Sequence, residues 1–198
     1  MSFEEEFEQA IVKKCRGKKV MLLLTGGMDS RAILSVLVKN NIPFDAYTHR
    51  QPNKYRHKHD VWVAFQLGIK YAGIHEIGYY TPWKNLPFTG YDVVLTGLGM
   101  TEFINYREFR SPQAVIRSVI EEIKLLPKNY YAPVLEMHMR FDTRGIYPGD
   151  LNTKECLFGI IQRRIIKRNA PELLKYKYTS FSRKKKYAGI IYRFLYKA

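Results

Sequence analysis

Hydrophobic and polar positions alternate along this chain in the rhythm of a parallel α/β protein. Phe3, Phe7, Ile11 and Cys15 recur at helical spacing and predict an amphipathic N-terminal helix. The run Val20–Leu24 is apolar throughout, as a strand buried on both faces must be. A helix is expected from Asp29 to about Lys39, broken by Asn40-Asn41-Ile42-Pro43, with a second strand over Phe44–Thr48. Asp60 is the expected start of a helix carrying Val61, Ala64, Phe65 and Leu67. Gly68 is expected to end it, ahead of a strand near Ile69–Ile77. Another apolar strand covers Val93–Leu95. Further on, Ser111-Pro112 reads as a helix start whose apolar face is Val115, Ile116, Val119 and Ile123. Asn152 with Glu155 resembles a capping box opening a helix through Ile165. The expected class is α/β: a Rossmann-like parallel sheet flanked by helices, with a helical C-terminal part. A single domain over 1–198 would have an α/β part at 1–110 and a helical, basic part at 111–198.

The junction at Thr25-Gly26-Gly27-Met28-Asp29-Ser30 carries the sharpest chemistry. Two glycines after a strand remove side chains that would keep an anion from the backbone. The amides that follow open a helix, where unpaired N–H groups and the dipole favour phosphate. The spacing is not that of a Walker A loop, which needs a lysine after its last glycine. A carboxylate beside polyphosphate repels it unless a cation lies between, so Asp29 implies Mg²⁺. The hydroxyls of Thr25 and Ser30 would donate to phosphate oxygens. The bland alternative is an ordinary Gly-Gly turn before a helix.

This pattern resembles the PP-loop of ATP pyrophosphatases, which cleave ATP between its α- and β-phosphates. Continued into Arg31-Ala32-Ile33-Leu34, it is most similar to the synthetase domain of asparagine synthetase. The resemblance implies an adenine nucleotide alpha hydrolase-like fold, with ATP and Mg²⁺ as cofactors. In that family a later strand ends in Ser-Gly-x-Gly-x-Asp-Glu, facing the PP-loop and binding pyrophosphate and metal. Here Thr96, Gly97, Gly99 and Glu102 match, as does Tyr106 near the motif's end. Thr101 replaces the metal-binding Asp, and Leu98 replaces a Glu that asparagine synthetase links to its acceptor chemistry. Glu102 is therefore the expected second metal ligand. A third similarity, over Arg163–Phe181, puts Lys177 in the position of a lysine that meets the phosphates; a solvated lysine in a basic helix is the alternative. The resemblance also implies that the second strand's backbone meets adenine, which brings in Tyr47 and Thr48; the Tyr47 ring itself reads first as a core aromatic, with an adenine platform as the alternative.

Charge adds a separate signal. Lys and Arg number 33 against 18 acids, a formal +15. Beyond residue 162, twelve basic residues oppose Glu172 alone, an excess of +11, with Tyr and Phe interleaved. Aromatics stack on bases and basic groups neutralise phosphates, so the segment is a candidate RNA or DNA contact; a solvated basic face is the alternative. An amphipathic helix on an anionic membrane surface is a further alternative.

The remaining composition narrows the class. No apolar run reaches transmembrane length, the start is acidic rather than signal-like, and Cys15 and Cys156 lack metal-ligand spacing. A reducing, cytoplasmic setting is expected. His57-Lys58-His59-Asp60 is better read as a polar loop than as a zinc site.

The glutaminase of asparagine synthetase uses an N-terminal cysteine. This chain begins Met-Ser-Phe, so hydrolysis of glutamine in cis is not expected. The leading expectation is an AMP- and pyrophosphate-forming ligase that adenylates an acceptor, a carboxylate first. Its catalytic residues would be Lys177 and Glu102; its nucleotide contacts Thr25, Gly26, Gly27, Asp29, Ser30, Tyr47, Thr48, Gly97 and Gly99; its metal ligands Asp29 and Glu102. Modification of tRNA or other nucleic acid, and non-catalytic nucleotide binding, are the alternatives.

Overall fold

The structure, a computed structural model, describes residues 1–49, 58–77, 88–100, 121, 127–134, 137 and 159–176. Helix α1 (Phe3–Cys15) starts on a complete capping box: Ser2 accepts from the Glu5 amide, and Glu5 reaches back to the Ser2 amide. Its buried face is Phe3, Phe7, Ile11 and Cys15. Strand β1 (Val20–Leu23) leads through the Gly-Gly turn into helix α2 (Met28–Lys39). Asn41, at φ 51, takes the left-handed turn that redirects the chain into strand β2 (Phe44–His49).

Helix α3 (Lys58–Tyr71) and strand β3 (Gly73–Ile77) correct the boundary expected at Gly68. Gly68 is buried four residues after the buried Ala64, on the face α3 turns to the core. A mid-helix glycine costs only about 1 kcal/mol relative to Ala, which packing overrides. The helix therefore runs on, and Ile69 is an exposed helical position rather than the start of a strand.

Strands β4 (Val93–Leu95) and β5 (Tyr130–Tyr131) complete a five-stranded sheet in the order β3-β2-β1-β4-β5. Every pairing is parallel. The class is α/β, a parallel sheet with packed helices. Strand β5 departs from the helical character expected of 111–198. It is only two residues long, too short for a periodic pattern to announce it, and it forms because Val94 and Thr96 donate to the Asn129 and Tyr131 carbonyls.

Helix α4 (Ile160–Asn169) follows Gly159, runs four residues past Ile165, and leads into a 3-10 turn at Pro171–Lys175. The helix starts expected at Ser111 and Asn152 lie outside the described residues.

Both faces of β1 are buried. Val20, Leu22 and Leu24 join the main core with α1, α2, α3 and α4, while Met21, Leu23, Tyr47 and Val94 form a second cluster. That two-sided burial is why the strand is apolar at every position. Helix α2 is buried at Met28 and from Ser30 to Leu37, the pattern of a helix covered by further helices as well as by the sheet. Ion pairs fasten α1 over this layer: Glu4 with Arg164, Glu5 with Arg168, and Glu8 with Lys39.

Candidate functional site

The sheet reverses direction at β1: β2 and β3 extend to one side, β4 and β5 to the other. In open α/β sheets, ligands sit beyond the carboxyl ends of the strands at such a switch point. The Thr25–Ser30 turn leaves β1 there, and Thr96–Met100 leaves its neighbour β4.

The first turn is preorganised by its own hydroxyls. The Leu24 amide donates to the Tyr47 carbonyl at 2.8 Å, the last sheet-like bond before the chain turns. Gly26, at φ 79, adopts a left-handed conformation that favours glycine. Ser30 Oγ accepts from the Thr25 amide at 3.2 Å and lies 3.1 Å from Thr25 Oγ1. The two hydroxyls expected to meet phosphate thus already meet each other. Thr25 Oγ1 also accepts from the Gly27 amide over a long 3.4 Å. Gly27 is the N-cap of α2 and provides no side-chain cap, so the positive end of the helix dipole lies at this turn.

The second turn packs directly on the first. A Cβ built on Gly97 would lie 2.8 Å from Asp29 Cβ and 3.0 Å from the Ser30 amide nitrogen, so only glycine fits without displacing α2. Gly99 sits at φ 81, and Thr96 Oγ1 accepts from the Leu98 amide at 3.1 Å. Leu98 packs partly buried against the main core.

Two buried polar side chains join the site without having been expected. Gln162 of α4, 1% exposed, donates its amide to Asp29 Oδ1 at 3.0 Å, while Asp29 itself is half-buried. Arg31, also 1% exposed, donates to the Gly26, Leu173 and Tyr176 carbonyls. Gln162 carried no sequence signal. Arg31 carried one: a cation among Ala32, Ile33 and Leu34 must find buried acceptors.

Tyr47 and Thr48 stand at the carboxyl end of β2. The Tyr47 ring packs in the second core cluster, edge-on to Tyr91, with the two hydroxyls 3.3 Å apart. Tyr91 also donates to Asp45 Oδ2 at 2.7 Å. Burial pushes the Tyr91 hydroxyl pKa upward, helped by the bonds to Tyr47 and Asp45. The Tyr47 ring occupies the core role that its place in an apolar strand favoured. Thr48 is buried, and its Oγ1 has no hydrogen-bond partner among the described residues. Glu102, Thr101, Tyr106 and Lys177 lie outside the described residues, as does the basic segment that follows Tyr176.

No helix among the described residues is long and apolar enough to cross a membrane. No protein-family model matches the chain, and no curated protein sequence matches it either.

Proposed function

We propose that this protein is an AMP- and pyrophosphate-forming ATP pyrophosphatase with an adenine nucleotide alpha hydrolase-like fold, acting as an asparagine synthetase-like ligase. The observation that carries the reading is the packing of Gly97 against Asp29 and Ser30. It brings both motif-bearing turns to the switch point between β1 and β4. An ordinary Gly-Gly turn has no need of a second glycine turn pressed onto its helix start.

The residues suit the chemistry. The start of α2 has the dipole sign that suits phosphate, and the buried Ser30 hydroxyl braces that turn. Mg²⁺ is commonly held by one or two carboxylates together with substrate phosphates, and the half-buried Asp29 fits that donor set. When bound, the ion would neutralise charge on the polyphosphate. Lys177 and Glu102 take their roles from the resemblance: the ammonium neutralises departing pyrophosphate, and Glu102 supplies a second carboxylate. The acceptor oxygen bonds to the α-phosphorus as the bond to pyrophosphate breaks, and a nucleophile then displaces AMP. With Leu98 turned to the core, no general base is assigned.

A second reading rests on charge. The +11 excess beyond residue 162 favours a polyanionic acceptor, as in enzymes that adenylate a base in tRNA.

The deciding experiment incubates the protein with α-labelled ATP, Mg²⁺ and either carboxylates or RNA. AMP with pyrophosphate is expected, and the pool that releases it identifies the acceptor class. Glu102→Gln should slow that release on the order of a hundredfold while leaving AMP binding intact. ADP with phosphate would overturn the assignment. ATP binding without turnover in any pool would make Thr101 and Leu98 lost catalytic positions and the protein a nucleotide binder.

A further inference from the structure

We infer that Arg31 is a positioning residue that holds the Thr25–Ser30 turn and the C-terminal turn at Leu173–Tyr176 as one unit. Its guanidinium divides its donors between two distant parts of the chain. Nη2 donates to the Gly26 carbonyl at 2.7 Å; Nη1 donates to the Tyr176 carbonyl at 2.7 Å and to that of Leu173 at 3.3 Å. A planar fork of fixed donors suits this task, whereas a lysine ammonium has neither the breadth nor the fixed directions.

The bond to Gly26 has a consequence for the anion face. In a trans peptide, the carbonyl of one residue and the N–H of the next point in opposite directions. Arg31 draws the Gly26 carbonyl inward, so the Gly27 N–H of the same peptide is turned outward, toward the exposed Thr25 and its hydroxyl. The side chain thereby sets the direction of an amide at the start of α2 from the buried side of the turn.

The other two bonds reach 142 and 145 residues along the chain. They fix the last described residues, immediately before Lys177, to the same guanidinium. Movement of the first turn must therefore strain the second, since a buried cation cannot release either set of carbonyls without an unsatisfied polar group. The link to phosphate rests on the proposed function; the clamp itself does not.

Hydrogen exchange tests both parts on the full chain. The reporters are the residue 31 amide, bonded to the Gly27 carbonyl, and the Leu173 amide, bonded to that of Ala170; the Val94 amide in the sheet is the control. Arg31→Lys should speed exchange at both reporters by about tenfold or more, with Val94 unchanged. Acceleration at one reporter alone, or at neither, overturns the clamp. If Arg31→Lys does not fold, exchange of the wild-type protein across a denaturant series decides: a shared opening free energy for the two reporters supports the clamp, and separate ones overturn it.

Mg·ATP and inorganic pyrophosphate then probe the coupling. Either ligand, bound by the wild type, should slow exchange at Leu173 as well as at residue 31. Protection confined to residue 31 overturns the coupling. Failure of both ligands to bind sinks the nucleotide reading, while exchange measured without ligand still decides whether the clamp exists.

Discussion

Gly97 lies so close to Asp29 that a methyl group on it would sit 2.8 Å from Asp29 Cβ. The contact joins residues from two strand ends and makes the glycine a requirement of tertiary packing. Gly97→Ala should push the start of α2 outward. The expected loss is about 1–3 kcal/mol of stability, the usual range for overpacking, with weaker nucleotide binding. Gly90→Ala, where an added Cβ meets nothing within 4 Å, is the control and should change neither property. Denaturant melts and ATP titrations of the two variants measure the contrast; equal behaviour would remove Gly97 from the site's framework.

Asp29 should serve the metal rather than the nucleoside. Asp29→Asn is expected to weaken Mg·ATP binding much more than binding of metal-free AMP, because only a cation makes a carboxylate favourable beside phosphate. Gln162→Leu should follow the same pattern more weakly, since it removes a buried amide that orients Asp29. It should also lose about 1.5–3 kcal/mol of stability, as expected for a hydrogen bond to a charged group. Paired calorimetric titrations check both variants. Equal losses for the two ligands would take Asp29 out of the metal site.

Cys15 should be chemically silent in the folded protein. Burial pushes its thiol pKa up to about 12, with Lys18 and Lys14 only partly opposing. The thiolate is the reactive form, and this side chain is also fully enclosed. In a Cys156→Ser background, a thiol reagent at pH 8 should label the protein only at the rate of unfolding. Fast, stoichiometric labelling of folded protein would contradict the packing of α1.

Glu8 should make the helix layer acid-sensitive. Burial works to raise its pKa, but hydrogen bonds from Lys39 and Asn40 outweigh it and hold the carboxyl below its ordinary value. A depressed carboxyl contributes stability above its unfolded pKa, about 4.3, and that contribution disappears as pH falls through the lower folded value. Glu8→Gln should therefore show a shallower loss of stability below about pH 4.3 than the wild type does. Its effect at neutral pH should be small, because partly exposed pairs are worth only about 0–1 kcal/mol. Melting curves from pH 3 to pH 7 give the comparison, and parallel curves would rule out the linkage.

Elements written in short-range patterns are legible in the amino-acid sequence. The N-terminal helix, β1, the Gly-Gly turn, α2, β2 and β4 all follow from periodicity and local turn chemistry, since each is dictated by residues a few positions apart. The expectation at Gly68 failed for the complementary reason: helix propensity is a weak prior, and contact with the core decided the matter. Strand β5 was invisible because two residues carry no period.

For the site, sequence alone supplied the candidate residues and their chemistry, because glycines, hydroxyls and a carboxylate at a strand–helix junction are informative in themselves. Only the tertiary structure decided which of them meet. Gln162 reaches Asp29 across 133 residues, and Arg31 finds acceptors 142 and 145 residues away. The acceptors of Arg31 are backbone carbonyls, which every residue possesses. No pattern of side chains can announce such a partner; the packing of α4 on α2 brings it into place.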